Sequence, residues 1–156
     1  MKAALAAILT CAALTACVTT SQTGSSSASN AAIPDTSSIG QSLNAYRASN
    51  GLGALTRNAA LDRAAAGHAA YMAQTDTLSH TGAGGSNFSR RIRDTGYCFG
   101  GHGAENISGG YSSDAQAMQA WTNSPGHQRN LLNRNVTQYG YGVSGSYRVM
   151  VFANGC

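Results

Sequence analysis

The sequence predicts an α+β domain, with helices first and a β-hairpin last. Apolar residues recur at helical spacing from Ile39 to Leu132, and serines, asparagines and glycines stand where helices should start and stop. The final stretch changes character. Tyr139-Gly140-Tyr141-Gly142-Val143 and Tyr147-Arg148-Val149-Met150-Val151-Phe152 are β-branched and aromatic, with Gly145-Ser146 between them as a turn. Helices followed by a hairpin are the α+β pattern.

In the first predicted helix Ile39, Leu43 and Tyr46 share one face, and Gly51 stops it. Asn58 opens the second helix, whose buried stripe is Leu61, Ala65, His68, Ala69 and Met72. His68 lies on that stripe and reads as a buried structural histidine. Ser86 is expected to cap a short third helix that carries Phe88 and Ile92 and ends at Gly96. Its arginines, Arg90, Arg91 and Arg93, read as a solvated face. They lack interleaved aromatics and a nucleic-acid motif, so nucleic acid is not an expected partner. The loop Gly100-Gly101-His102-Gly103 leads into Glu105. Ser112 or Ser113 caps the next helix, which buries Ala117, Met118 and Trp121. Ser124 then reads as an N-cap before Pro125 at the first helical position, starting a short helix through Leu131 and Leu132. The Ser124 hydroxyl is expected to bond a backbone N–H near His127.

The N-terminal segment belongs to export rather than to the fold. Met1-Lys2 gives one positive charge, and Ala3 to Ala16 is a small, apolar run too short to span a bilayer but sized for a secretory signal. It ends in Leu14-Thr15-Ala16-Cys17, which looks like a bacterial lipobox. Residues 1–16 are therefore expected to be a lipoprotein signal peptide that takes Cys11 with it, and Cys17 the lipidated mature N-terminus. Residues 17–38 are rich in Ser, Thr and Ala, as suits a flexible tether, and residues 39–156 form one domain. The expected location is the cell envelope, held to a membrane by the N-terminal lipid. Val18 after Cys17 points to an outer membrane or cell surface, with release to the exterior an alternative.

Cys98 and Cys156 remain for the exported domain, where an oxidising compartment makes a disulfide the default. It would close a loop of roughly sixty residues, worth about 4 kcal/mol by chain-entropy reasoning. Loss of Lys2 with the signal lowers the formal charge from +4 to +3 and leaves arginine as the only strong base. Schiff-base and lysine-base chemistry are thereby excluded.

Glu105 is the chain's only glutamate, and His80 and His127 lie on either side of it in sequence. Two imidazoles and a carboxylate suit a metal site or an acid–base site. His102, three residues before Glu105, either joins them or stays an exposed loop residue. Asn106 is expected to bond backbone rather than substrate.

Several motifs together resemble those of the CAP superfamily: the cysteine-rich secretory proteins, antigen 5 and plant pathogenesis-related class 1 proteins. Leu43-Asn44-Xaa-Xaa-Arg47 and the second helix into Leu78-Ser79-His80 resemble its opening. Ala104-Glu105-Asn106-Ile107 resembles its Gly-Glu-Asn-Ile/Leu signature. Trp121-Thr122-Asn123-Ser124-Pro125-Gly126-His127-Gln128-Arg129-Asn130-Leu131-Leu132 resembles the bacterial form of its second signature. The resemblance spans about residues 39–153 and implies an α–β–α sandwich, with a small antiparallel sheet between helical layers. It implies a cavity carrying His80, His127 and Glu105, with Ser124 where the family's second glutamate would fall.

Three functions arise as expectations. The first is an envelope module that binds a peptide, cell-wall fragment or lipid, drawing on Tyr71, Phe88, Tyr97, Phe99, Tyr111 and Tyr147, most of which read equally well as core. Zinc or another divalent cation could sit on His80, His127 and Glu105. The second is a metal-dependent hydrolase of peptides or cell-wall material using Glu105, His80 and His127, with Ser124 as nucleophile a weaker variant. The third is a structural envelope lipoprotein without a ligand. A monomer is expected.

Overall fold

The computed structural model describes residues 32–33 and 37–156 of the chain. The expected signal peptide, Cys17 and most of the tether lie outside the described residues. Ala32–Ile33, inside the segment read as a tether, forms a short strand, β1. Helix α1 follows at Ser38–Ser49, then β2 at Thr56–Asn58 and α2 at Ala59–Thr75. Next come α3 at Phe88–Asp94, β3 at Gly103–Ser108, α4 at Asp114–Thr122 and α5 at Pro125–Leu131. The hairpin strands β4, Gln138–Ser144, and β5, Tyr147–Ala153, close the fold.

The strands form one sheet in the order β1-β2-β4-β5-β3. The β4–β5–β3 core is antiparallel as expected, while β2 adds a short parallel pair with β4. Gly145 has a positive φ of 57°, which lets a two-residue turn link β4 to β5. Helices cover both faces, giving the α–β–α sandwich. Ile39, Leu43, Trp121, Tyr139 and Phe152 fill one side, and Leu61, Met72, Ile92, Val149 and Val151 fill the other.

The Tyr-Gly-Tyr-Gly run now has a packing reason. Tyr139 and Tyr141 point to the α1/α4/α5 side, while a side chain at Gly140 or Gly142 would collide with the backbone of α2. The glycines thus let α2 lie directly on β4. The first sequence motif is a clamp. Asn44 bonds both backbone groups of Leu55, and buried Arg47 donates to the carbonyls of Gly53, Leu131 and Asn133.

Most local expectations hold: Asn58 caps α2 and Ser113 caps α4. Two do not. Asn87, not Ser86, caps α3 by accepting from the Arg90 N–H, because the helix begins one residue later than expected. Ser124 stands at the N-cap of α5, but its side chain makes no capping bond. It bonds neither the Gly126 nor the His127 N–H that a serine cap would take, and Ser124 lines a surface concavity instead.

Cys98 and Cys156 are bonded. The disulfide ties the start of the 98–102 loop to the C-terminus, where Gly100 and His102 also bond Asn154.

Candidate functional site

The site is built on β3, the edge strand. Side chains alternate along a strand, so Glu105 and Ile107 face α2 and α3, while Ala104, Asn106 and Ser108 face α4 and α5. Two outward carbonyls of this edge are already taken. Asn130 Nδ2 donates to Glu105 O, and Trp121 Nε1 donates to Ile107 O, both at 3.2 Å. Those two carbonyls are therefore not open to an added strand.

Glu105 is held on both oxygens. His80 Nδ1 lies 2.8 Å from Oε1, and Arg91 Nη2 donates to Oε2 at 2.6 Å. The glutamate side chain is 2 % exposed, whereas the His80 ring is 61 % exposed. A carboxylate only accepts, so His80 Nδ1 carries the proton toward it and Nε2 faces outward. The loop bearing His80 is fixed from both sides: His68 Nε2 donates to Ser79 O at 2.8 Å, and Arg91 Nη1 donates to His80 O at 3.2 Å. His68 is thus the buried structural histidine expected.

Arg91 corrects the expectation of a solvated arginine face. Arg90, in an exposed pair with Asp94, and exposed Arg93, lying over the Phe99 ring, do fit it. Arg91 is the largely buried counter-ion of Glu105. A signal for it was present: Phe88, Arg91 and Ile92 fall at helical spacing on one face.

His127 stands across the strand on α5, half-buried. Its carbonyl accepts from Asn106 Nδ2, and Asn130 Nδ2 donates to Asn106 Oδ1 at 2.8 Å. Asn106 therefore bonds backbone, as expected. Burial first, and the charge of His80 second, hold the His127 pKa below the ordinary imidazole value.

Two concavities succeed one another along β3. One, about 340 Å³, is lined by His80, Phe88, Glu105 and Asn130. The other, about 240 Å³, is lined by Leu78, Ser108, Tyr111, Trp121, Ser124 and His127. Ser108 is buried, and its hydroxyl has no partner among the described residues. His80, Glu105, Ser124 and His127 are thus brought together around one strand. His102 is not: it is exposed, lines neither concavity, and bonds Asn154 through its backbone. Of the aromatic candidates, Phe88 and Tyr111 reach the groove. Tyr97 is core, and Tyr147 bonds Asp76.

The sequence matches the profile of the CAP family, described as the cysteine-rich secretory protein family, over residues 41–153. The chain belongs to this family. This CAP domain is similar to an extracellular SCP-domain protein from Bacillus anthracis str. Ames, with 28 % identity and a TM-score of 0.71 over 74 % of this chain and 39 % of that one. It shares its fold with an outer surface protein from Borrelia burgdorferi at 21 % identity and TM-score 0.69, covering 76 % of this chain and 90 % of that one. A Staphylococcus aureus cysteine-rich secretory protein has the same fold at 21 % identity and TM-score 0.63, over 74 % and 36 % of the two chains. A Bacillus subtilis (strain 168) membrane protein, YlbC, is 29 % identical over 109 residues, 70 % of this chain. The chain spans only 31 % of that relative's length.

The donors of the CAP site decide whether a resident metal suits it. His80 has the orientation of a metal-ligating histidine, its second nitrogen held by a carboxylate. Both oxygens of Glu105, however, are engaged by His80 and Arg91, and Ser124 replaces a second carboxylate. Among the described residues no group of three or more His, Cys, Asp or Glu side chains could hold an ion. These donors do not fit a zinc centre, which takes three or four protein ligands. No hydroxyl or thiol is bonded to either site imidazole among the described residues, so no nucleophile is poised there.

Proposed function

We propose that this CAP domain is a binding module of the cell envelope that holds an extended peptide, such as a cell-wall peptide, in the groove along β3. The observation that carries the reading is the pairing of two concavities on one six-residue strand, Gly103–Ser108. That strand gives a track of about 20 Å, the length of an extended hexapeptide. At one end His80 presents Nε2, backed by Glu105. At the other, the unpartnered Ser108 hydroxyl and His127 stand beside the apolar surface of Leu78 and Trp121. Polar groups that orient a ligand against apolar walls are the usual makings of such a site. Nothing in the groove is arranged as an activated nucleophile, which favours binding over hydrolysis.

A membrane anchor completes this reading. Cys17 in Leu14-Thr15-Ala16-Cys17 carries lipid, and the polar segment after it lets the domain reach its ligand from the membrane. No helix among the described residues is long and apolar enough to cross a membrane.

The test is an NMR titration of the full chain with soluble cell-wall peptides released by a muramidase. Saturable shifts are expected at His80, Glu105, Ser108 and His127, weakened in His80→Ala. Shifts confined to other faces, or none at millimolar peptide, would sink the reading.

A further inference from the structure

A second cavity lies on the other side of Arg91, between α2 and α3, with a volume of about 310 Å³. It shares no lining residue with the groove, although Arg91 and His68 in its wall also brace Glu105 and the His80 loop.

Its inner end holds unmet hydrogen-bonding capacity. His68 is 1 % exposed, and its Nδ1 has no partner among the described residues; neither has Arg91 Nε. Because His68 Nε2 donates to Ser79 O, and burial and Arg91 hold the ring's pKa down, Nδ1 is a bare acceptor. Arg91 Nε is a donor. His68 Nδ1, Arg91 Nη1 and Ser86 Oγ converge on Gly82, where a β-carbon would lie about 3 Å from each. Ser86 also lines the cavity. An unpartnered acceptor on His68, an unpartnered donor on Arg91 and the Ser86 hydroxyl thus belong to three residues that line the cavity.

The mouth is basic. Arg63 and Arg90 line it, Arg90 in an exposed pair with Asp94, and the charge of Arg91 is already matched by Glu105 outside the cavity. That leaves one positive charge in excess. The Tyr71 ring, stacked on His68, forms a wall.

Gly67 is an independent sign. It sits inside α2, where glycine is the poorest residue short of proline. A β-carbon there would meet nothing within 4 Å, so packing does not require it. It lines the cavity and leaves it open.

We propose that this cavity is a second ligand site, taking a small carboxylate that carries a neighbouring group able both to donate and to accept a hydrogen bond. The carboxylate would meet Arg63 and Arg90, and the neighbouring group would reach toward Ser86, Arg91 and His68. A sugar acid and an N-acyl amino acid both present this chemistry.

The experiment titrates the isotope-labelled full chain with glucuronate and with N-acetyl-D-alanine, each beside a neutral analogue, glucose or N-acetyl-D-alanine amide. Saturable shifts centred on Gly67, Tyr71 and Ser86 are expected with at least one acid. Which acid binds more tightly identifies the neighbouring group as hydroxyl or amide. The neutral analogue and Arg90→Gln should each bind about tenfold more weakly, as losing one charge-assisted contact predicts. Gly67→Leu should abolish binding with an unchanged or higher melting temperature, since it fills the cavity and favours the helix. Binding that survives Gly67→Leu in a folded protein would overturn the proposal. So would equal affinity for acid and neutral analogue, or no saturable shift with either acid. Shifts along β3 instead would count for the groove and against this site.

Discussion

Arg91 and Glu105 form a buried ion pair, 2.6 Å from Nη2 to Oε2, that joins α3 to the edge strand of the sheet. The pair places the outward nitrogen of His80, because the other glutamate oxygen holds that ring. It also explains why the lone glutamate is absent from the surface: it is a fixed internal brace.

Removing one partner should therefore cost more than removing both. Arg91→Met leaves a buried carboxylate unmatched, with an expected loss of about 3–5 kcal/mol. Arg91→Met with Glu105→Leu should recover much of it, since neither charge then remains. Denaturant unfolding of the two single variants and the double variant measures the coupling. Equal losses from Arg91→Met and from an exposed change such as Arg90→Gln would refute the buried pair.

Stability should fall with acid. His68 and His127 both titrate below the ordinary imidazole value, chiefly through burial. On acidification the unfolded chain takes up protons first, near pH 6.5, so folding weakens from about that pH downward until the lowered folded values are passed. Unfolding curves at pH 7.5 and pH 5 should show the loss, and His68→Gln should reduce it. A chain equally stable at both values would contradict the assignment.

The disulfide should contribute strongly for so small a domain. The 58-residue separation of Cys98 and Cys156 corresponds to about 4 kcal/mol of chain entropy. Cys98→Ser with Cys156→Ser, compared with the parent by denaturant unfolding, is expected to show a loss of that order. Two free thiols on mass analysis of the exported protein would remove the premise.

Ser108→Ala separates stability from binding. A buried hydroxyl without a partner costs about 1 kcal/mol or more, so the variant should be as stable as the parent or more so. Peptide affinity in the groove should fall at the same time. Reduced stability in the free protein would mean that the hydroxyl is already satisfied.

Zinc should find no tight site on the parent chain. Calorimetric titration is expected to show no strong 1:1 complex, since Glu105 is engaged and only two imidazoles are free to bind. Tight binding lost in both His80→Ala and His127→Ala would show instead that Glu105 releases Arg91 to join an ion.

The sequence by itself determined the elements. Helical spacing located α1, α2 and α4, Asn58 and Ser113 marked the starts of α2 and α4, and Gly145-Ser146 marked the hairpin turn. These depend on neighbours within one or two turns of chain, so local pattern is enough. The motifs also identified His80, Glu105 and His127. The tertiary structure decided how those residues are used. Glu105 meets Arg91 across 14 residues and His80 across 25. Strand alternation then puts Glu105 and His127 on opposite sides of β3. Such pairings depend on which faces pack together, and no local period encodes that. Ser124 shows the same limit: its position promised a helix cap, but its side chain makes no capping bond and lines the groove.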